Sequence, residues 1–200
     1  MVAALLGMIA VGMVVGYVFF DVSAKPILDE TLMIALDCMG FVAGVEIGSN
    51  RQLLKRICTP KNMALAVALP VGTVVGSFGG AYLSHFVTGL SIYESILVGS
   101  GLGWYSLSSV VISTMHSTEL GAIAFLANML REVSSFVLIP LLARVPHGKL
   151  LTIAPGGAGT MDSLLPLVIR AAGMQAGMFS FINGLILSLL VPLFLSVLLR

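Results

Sequence analysis

Two stretches, GSGLGWYSLSS at 99–109 and APGGAGTMDS at 154–163, decide how this chain is read. Each lies inside an apolar window of about 20 residues, the length that crosses a bilayer as a helix. In the first, Gly99, Gly101 and Gly103 alternate and Ser106, Ser108, Ser109 and Ser113 follow. Each glycine costs about 1 kcal/mol in a helix interior relative to alanine. The second combines Pro155 with Gly156, Gly157 and Gly159, and Pro166 comes shortly after. Non-helical backbone at membrane depth survives only where it lines a cavity or is buried in protein. Both stretches therefore predict interrupted helices. They superpose with Gly101 and Gly103 on Gly157 and Gly159, which sets Ser106 against Asp162, and a longer apolar helix follows each. Paired interruptions in corresponding positions point to a transporter binding site.

Composition agrees. Of 200 residues, 58% are hydrophobic and 10% charged, with mean hydropathy +1.08. Soluble domains carry roughly 25% charged residues. Ten basic and nine acidic side chains nearly cancel, so no field points to nucleic acid. Cys38 and Cys58 make no disulfide framework and read as free thiols. The opening MVAALLGMIAVGMVVGYVFF lacks the charged start of a signal peptide and reads as a retained first helix. Apolar windows fall at 2–20, 31–49, 63–87, 92–115, 120–142, 151–171 and 176–199. The expected fold is all-α: a polytopic integral membrane protein with about five full spans plus two discontinuous or re-entrant glycine-broken segments. Short linkers make residues 1–200 a single transporter unit in the lipid bilayer.

Orientation raises a conflict. The loop 50–62 holds Arg51, Lys55, Arg56 and Lys61, and the loop 143–150 holds Arg144 and Lys149. The positive-inside rule places both in the cytoplasm, yet three windows separate them. Either the rule fails at the second loop or one window enters and returns. The window 92–115, with its glycine break, is the one that fits such an excursion.

Five ionisable side chains fall inside these windows: Asp37, Glu46, Arg131, Glu132 and Asp162. Each costs at least ~2.5–3.5 kcal/mol to insert and persists where it faces protein or water. Asn128, Arg131, Glu132 and Ser135 share one face of the 120–142 helix. Arg131 suits ion pairing better than proton exchange, with Asp37 as a partner. Asp162 stands at the second break, in the first turn of a half-helix if Thr160 caps it. Glu46 lies within a turn of the basic loop. Trp104 and Tyr105 sit in the first break, where they line a cavity or pack in the core. These residues, with Ser106, are the candidate substrate and proton site. No dinucleotide, phosphate or metal-ligand motif is present, and Asp37 with Asp162 lacks the flanking motifs of an aspartyl protease. A transporter is expected, not an enzyme.

The runs GSGLGWYSLSS (99–109), LGAIAFLANMLRE (120–132), GGAGTMDSLLPLV (156–168) and GLILSLLVPL (184–193) resemble the lysine exporter family of LysO type. The resemblance covers essentially the whole chain and matches the C-terminal two-thirds of longer members. It implies export of L-lysine and toxic lysine analogues across the cytoplasmic membrane. It implies that Glu132 and Asp162 are the principal intramembrane acids, with Glu46 of GVEIG at a polar or acidic family position. It also implies a homo-oligomer, or a small membrane subunit supplying the N-terminal spans of the longer members. No cofactor is expected beyond protons as coupling ion. Two acids would meet the ammonium groups of lysine and a half-helix N-terminus its carboxylate. A transporter for another small cation or solute is the alternative.

Overall fold

In a computed structural model, residues 2–19, positions 27, 31, 34, 38, 41, 45 and 49, and residues 59–200 other than 147 are described. Among them every regular element is helical. The order is α1 (Val2–Phe19), α2 (Pro60–Thr88), α3 (Ile92–Gly99), α4 (Tyr105–Met115), α5 (Thr118–Leu142), a 3₁₀ turn (Gly157–Met161), α6 (Leu165–Ala172) and α7 (Met174–Leu198). The all-α membrane architecture read from the sequence is borne out. α2, α5 and α7 are long and apolar enough to cross a membrane. Much of window 31–49, with Asp37 and Glu46, lies outside the described residues, as does Cys58.

Local chemistry sets the helix ends. Pro60 opens α2 where its missing N–H is not needed. Ser91 and Glu94 form a reciprocal capping box at α3: the hydroxyl accepts from Glu94 N (3.1 Å) and the carboxylate from Ser91 N (2.8 Å). Ser117 caps α5 by accepting from Leu120 N at 3.2 Å.

The two broken segments are hairpins that dip in from opposite ends of the bundle. Tyr93, in the first turn of α3, and His116, just past α4, have ring centroids 5.9 Å apart. Segment 92–116 thus leaves where it entered. Its core joins Leu97 and Ile112 to Leu120 at the start of α5 and Leu195 at the end of α7. Segment 143–172 turns back at the other end. Ile153 before its tip and Val168 and Ala172 after it share a core with Ala66, Ile139 and Ala176. Those three belong to the start of α2, the end of α5 and the start of α7. The orientation conflict resolves here. The start of α2 and the basic loop 143–150 lie at one end because 92–115 turns back.

The hairpin–helix units repeat with inverted direction. α5 and α7 are both 25 residues long and are separated by the same interval as Gly101 and Gly157. α5 runs from the first core to the second and α7 runs back. Gly121 on α5 lies where a Cβ would come 1.8 Å from Ser113 Oγ of the preceding half-helix. Gly177 on α7 stands in the same relation to Ile169, at 2.3 Å.

The hairpin tips cross backbone to backbone. Ala158 N–H donates to Leu102 O at 2.9 Å. The approach needs left-handed backbone at Leu102 (φ 47°), Gly103 (φ 97°) and Gly157 (φ 58°). A Cβ on Gly157 would lie 1.9 Å from Leu102 O, so the chains could not meet. Gly157→Ala should therefore lower the apparent melting temperature of detergent-purified protein sharply, or prevent recovery of a monodisperse species. Gly79, a helical position with open space at its Cβ, gives the control. Gly79→Ala should be neutral or stabilising by about 0.5–1 kcal/mol. Equal melting temperatures for the two variants would contradict the tip-to-tip crossing.

Candidate functional site

α5 is the spine of the site, and its polar stripe serves both hairpin tips. Asn128 is buried and holds the first. Its Oδ1 accepts from Gly103 N at 2.8 Å, and its Nδ2 donates to Val98 O at 3.1 Å and Ala124 O at 3.0 Å. Arg131 holds the second. Its Nε donates to Pro155 O at 2.8 Å and Nη2 to Ala154 O at 3.2 Å, while Nη1 donates to Ser77 Oγ on α2 at 3.0 Å. Among the described residues no carboxylate pairs with it, and Asp37, its expected partner, lies outside them. The stripe thus supplies donors and an acceptor to backbone groups freed by the breaks, which would otherwise each cost roughly 1–3 kcal/mol. Ser135 only donates to Arg131 O of its own helix, at 2.7 Å.

Glu132 and Asp162 come together. Both are half-buried. Ser163 Oγ donates to Glu132 Oε1 at 2.5 Å, and Ser163 N donates to Asp162 Oδ1 at 2.5 Å. Glu132 Oε1 and Asp162 Oδ1 lie 3.7 and 3.8 Å from one point, the place a Cβ would occupy on Gly159. The two carboxylates thus flank Gly159, and Ser163 Oγ lies 3.2 Å from the same point. Tyr105 stands within electrostatic range of both and packs edge-on against Phe125 at 5.4 Å. Both half-helices start beside this pair without a side-chain cap, α4 after Trp104 and α6 after Leu164. At α6 the first-turn donors are largely used up, since Leu165 N donates to Asp162 O at 3.2 Å and Pro166 has no N–H.

Two expectations need correcting. Thr160 does not cap a half-helix: it lies within the 3₁₀ turn, and its hydroxyl donates to Gly157 O at 2.6 Å. Asp162 accordingly ends the 3₁₀ turn, and α6 begins only at Leu165. The physical reason is that successive glycines favour tight turns over a helical start. Ser106 is exposed in the first turn of α4, and its carbonyl accepts from Ser109 Oγ at 3.2 Å. No described hydrogen bond joins it to either acid. Trp104 is 37% exposed at the first tip. Glu46 lies outside the described residues.

Sequence reasoning missed two residues. One is Ser163, which bridges the acids and follows Asp162 directly. The other is Asn183, fully buried in the middle of α7. Its Nδ2 lies 3.2 Å from Thr160 Oγ1 and 3.5 Å from Gly157 O, and its Oδ1 lies 3.5 Å from Thr73 Oγ1 of α2. It serves the second tip as Asn128 serves the first. A carboxamide in an otherwise apolar span was the available signal.

Carboxylates beside opened backbone, where two broken segments of an all-helical membrane fold meet, are an arrangement typical of proteins with discontinuous helices. The chain belongs to the lysine exporter LysO family, whose profile matches residues 6–199. It is similar to "Lysine exporter LysO" of Escherichia coli (strain K12), at 30% identity over 195 residues, covering 96% of this chain and 62% of that protein. It is similar also to "Putative lysine exporter" of Haemophilus influenzae, at 29% identity over 191 residues, covering 96% of this chain and 94% of that one. The chain thus spans under two-thirds of the first relative and nearly all of the second. No solved structure matches it.

Asn128→Leu should leave Gly103 N–H without a partner, costing about 1–3 kcal/mol, and should remove the amide donor from Val98 O. The expected result is a large fall in thermal stability in detergent. Asn183→Leu should show a smaller fall, because its contacts are longer. A wild-type melting curve for Asn128→Leu would rule out this role.

Proposed function

We propose that this chain exports L-lysine, and analogues with the same charged groups, across the cytoplasmic membrane in exchange for protons. The observation that carries the reading is the Glu132–Ser163–Asp162 group at the tip of the second hairpin. The names of the two relatives support the substrate class. A carboxylate pair at mid-depth suits a solute with two ammonium groups, because each ammonium replaces lost water with a charge-assisted hydrogen bond. Ser163 holds Glu132 in place when neither substrate nor proton is bound.

The energetics favour exchange over simple release. Lysine carries one net positive charge, and moving it out of a negative interior costs about 2.3 kcal/mol per 100 mV. Returning one proton per lysine cancels the charge moved. The pH gradient then drives export with about 1.4 kcal/mol per pH unit. In this cycle the acids hold either ammonium groups or protons, and the two hairpins open alternately to the two sides. The unit works as a homo-oligomer or with a small membrane subunit where longer relatives carry further spans.

Reconstituted protein should show counterflow of labelled L-lysine, and acidification of the outside should accelerate efflux from preloaded liposomes. Glu132→Gln and Asp162→Asn should each abolish flux while leaving insertion and melting temperature near wild type. Ser163→Ala should lower turnover by roughly tenfold, the effect of losing one charge-assisted hydrogen bond. Full lysine flux in the Glu132→Gln, Asp162→Asn double variant would overturn the reading. Counterflow of an inorganic cation but not of lysine would transfer the site to another solute.

A further inference from the structure

On the other flank of the second hairpin lies a groove of about 490 Å3, between α2 and the tip. Gly72, Gly76 and Gly80 form one wall, Ala154 and Pro155 another, and Arg131 lies between them with Thr73 and Ser77. The three glycines recur every fourth residue on α2, hence on one face. A Cβ on Gly72 or Gly76 would meet nothing within 4 Å, so these residues keep the groove open and are not needed for close packing. Arg131 uses three N–H groups on Ser77, Ala154 and Pro155, all neutral acceptors. A guanidinium has five. Among the described residues, two donors and the positive charge are left without an acidic partner, beside the groove in the middle of α5. A charge at that depth does not face lipid; it faces water or a partner of opposite sign.

We propose that this groove is the carboxylate subsite of the transport pathway, with Arg131 binding the α-carboxylate of the exported amino acid. The inference rests on the lysine-export reading and assigns the part of the substrate that the two acids cannot hold. The half-helix N-termini, the sequence-based expectation for the carboxylate, are poor places for it. Both open beside Glu132 and Asp162, where a third carboxylate meets repulsion. Arg131 and Glu132 are consecutive on α5 and so point about 100° apart. One contacts the tip at Pro155 and the other at Ser163. The single hairpin tip thus separates a cationic flank from an anionic one, matching the separated charges of lysine.

The experiment compares L-lysine with L-lysinamide, which keeps both ammonium groups and lacks the carboxylate, in proteoliposomes held at zero membrane potential. Wild-type protein should prefer lysine by roughly 10–100-fold in kcat/KM, the size of one charged contact. Arg131→Gln should erase that preference by raising KM for lysine and leaving lysinamide flux in place. Arg131 also braces the tip, so a second variant is needed. Gly76→Leu narrows the groove from a position with open space at its Cβ, should melt like wild type, and should lose lysine flux while sparing lysinamide. Equal loss of both substrates in Gly76→Leu would overturn the subsite and make the groove a packing surface for another helix or a second copy. Unchanged lysine kinetics in Gly76→Leu, or wild-type protein that does not distinguish the two compounds, would overturn it too. Wild-type protein that moves no lysine would overturn the export reading itself, and the subsite with it.

Discussion

Two chain segments without helical hydrogen bonds cross in the middle of an apolar bundle, and every backbone group they free must find a partner in protein. That constraint organises the rest of the structure. Water at this depth is scarce, and an unpaired N–H or C=O costs several kcal/mol in hydrocarbon. The tips satisfy one another through Ala158 N and Leu102 O. The remaining groups go to long polar side chains on the continuous helices: Asn128 and Arg131 on α5, Asn183 on α7, Ser77 on α2. Glycine at the crossing removes the side chains that would hold the two backbones apart. The polar stripe and the glycines are one device, and neither is tolerable without the other.

The inverted repeat gives the device its economy. A half-helix, a glycine contact and a full helix recur in the same order with reversed direction, so one solution to the backbone problem serves from both ends. The repeat is imperfect where the two units differ in chemistry. The first tip has Trp104 and Ser106 where the second has Thr160 and Asp162. The acids come from only one hairpin and from the helix of the other unit, so the site lies across the pseudo-symmetry rather than within either half.

Much of this was legible in the chain. The two glycine breaks, their correspondence, and the polar stripe on α5 follow from spacing and from the cost of charge in a membrane. The basic loops meant that either the positive-inside rule failed or one window turned back, and Tyr93 against His116 shows the window turning back. What was not legible depends on three dimensions. Arg131 reads as half of an ion pair because a buried guanidinium usually meets an acid. Among the described residues it bonds to the carbonyls of Ala154 and Pro155, a partnership that exists only because the second hairpin folds back across α5. Thr160 reads as a cap because threonine before an acid is a common helix start. The glycines before it favour a 3₁₀ turn, and the helix begins later. Ser163 could not be singled out among so many serines without knowing that Glu132 approaches it.

The formal charges at the tip bear on how such a site could exchange solutes. Glu132 and Asp162 together carry two negative charges when ionised, and Arg131 carries one positive charge. The set is left one charge short of neutral. Under the proposed function, a lysine with its single net positive charge completes it, and so does a single proton. Neutrality is the cheapest state for a group buried among apolar helices, so the loaded and the protonated forms are the ones suited to moving between the two sides. The empty, ionised form is not. An arrangement of this kind couples the two fluxes without a separate ion site, because the same missing charge is supplied by whichever cation is bound.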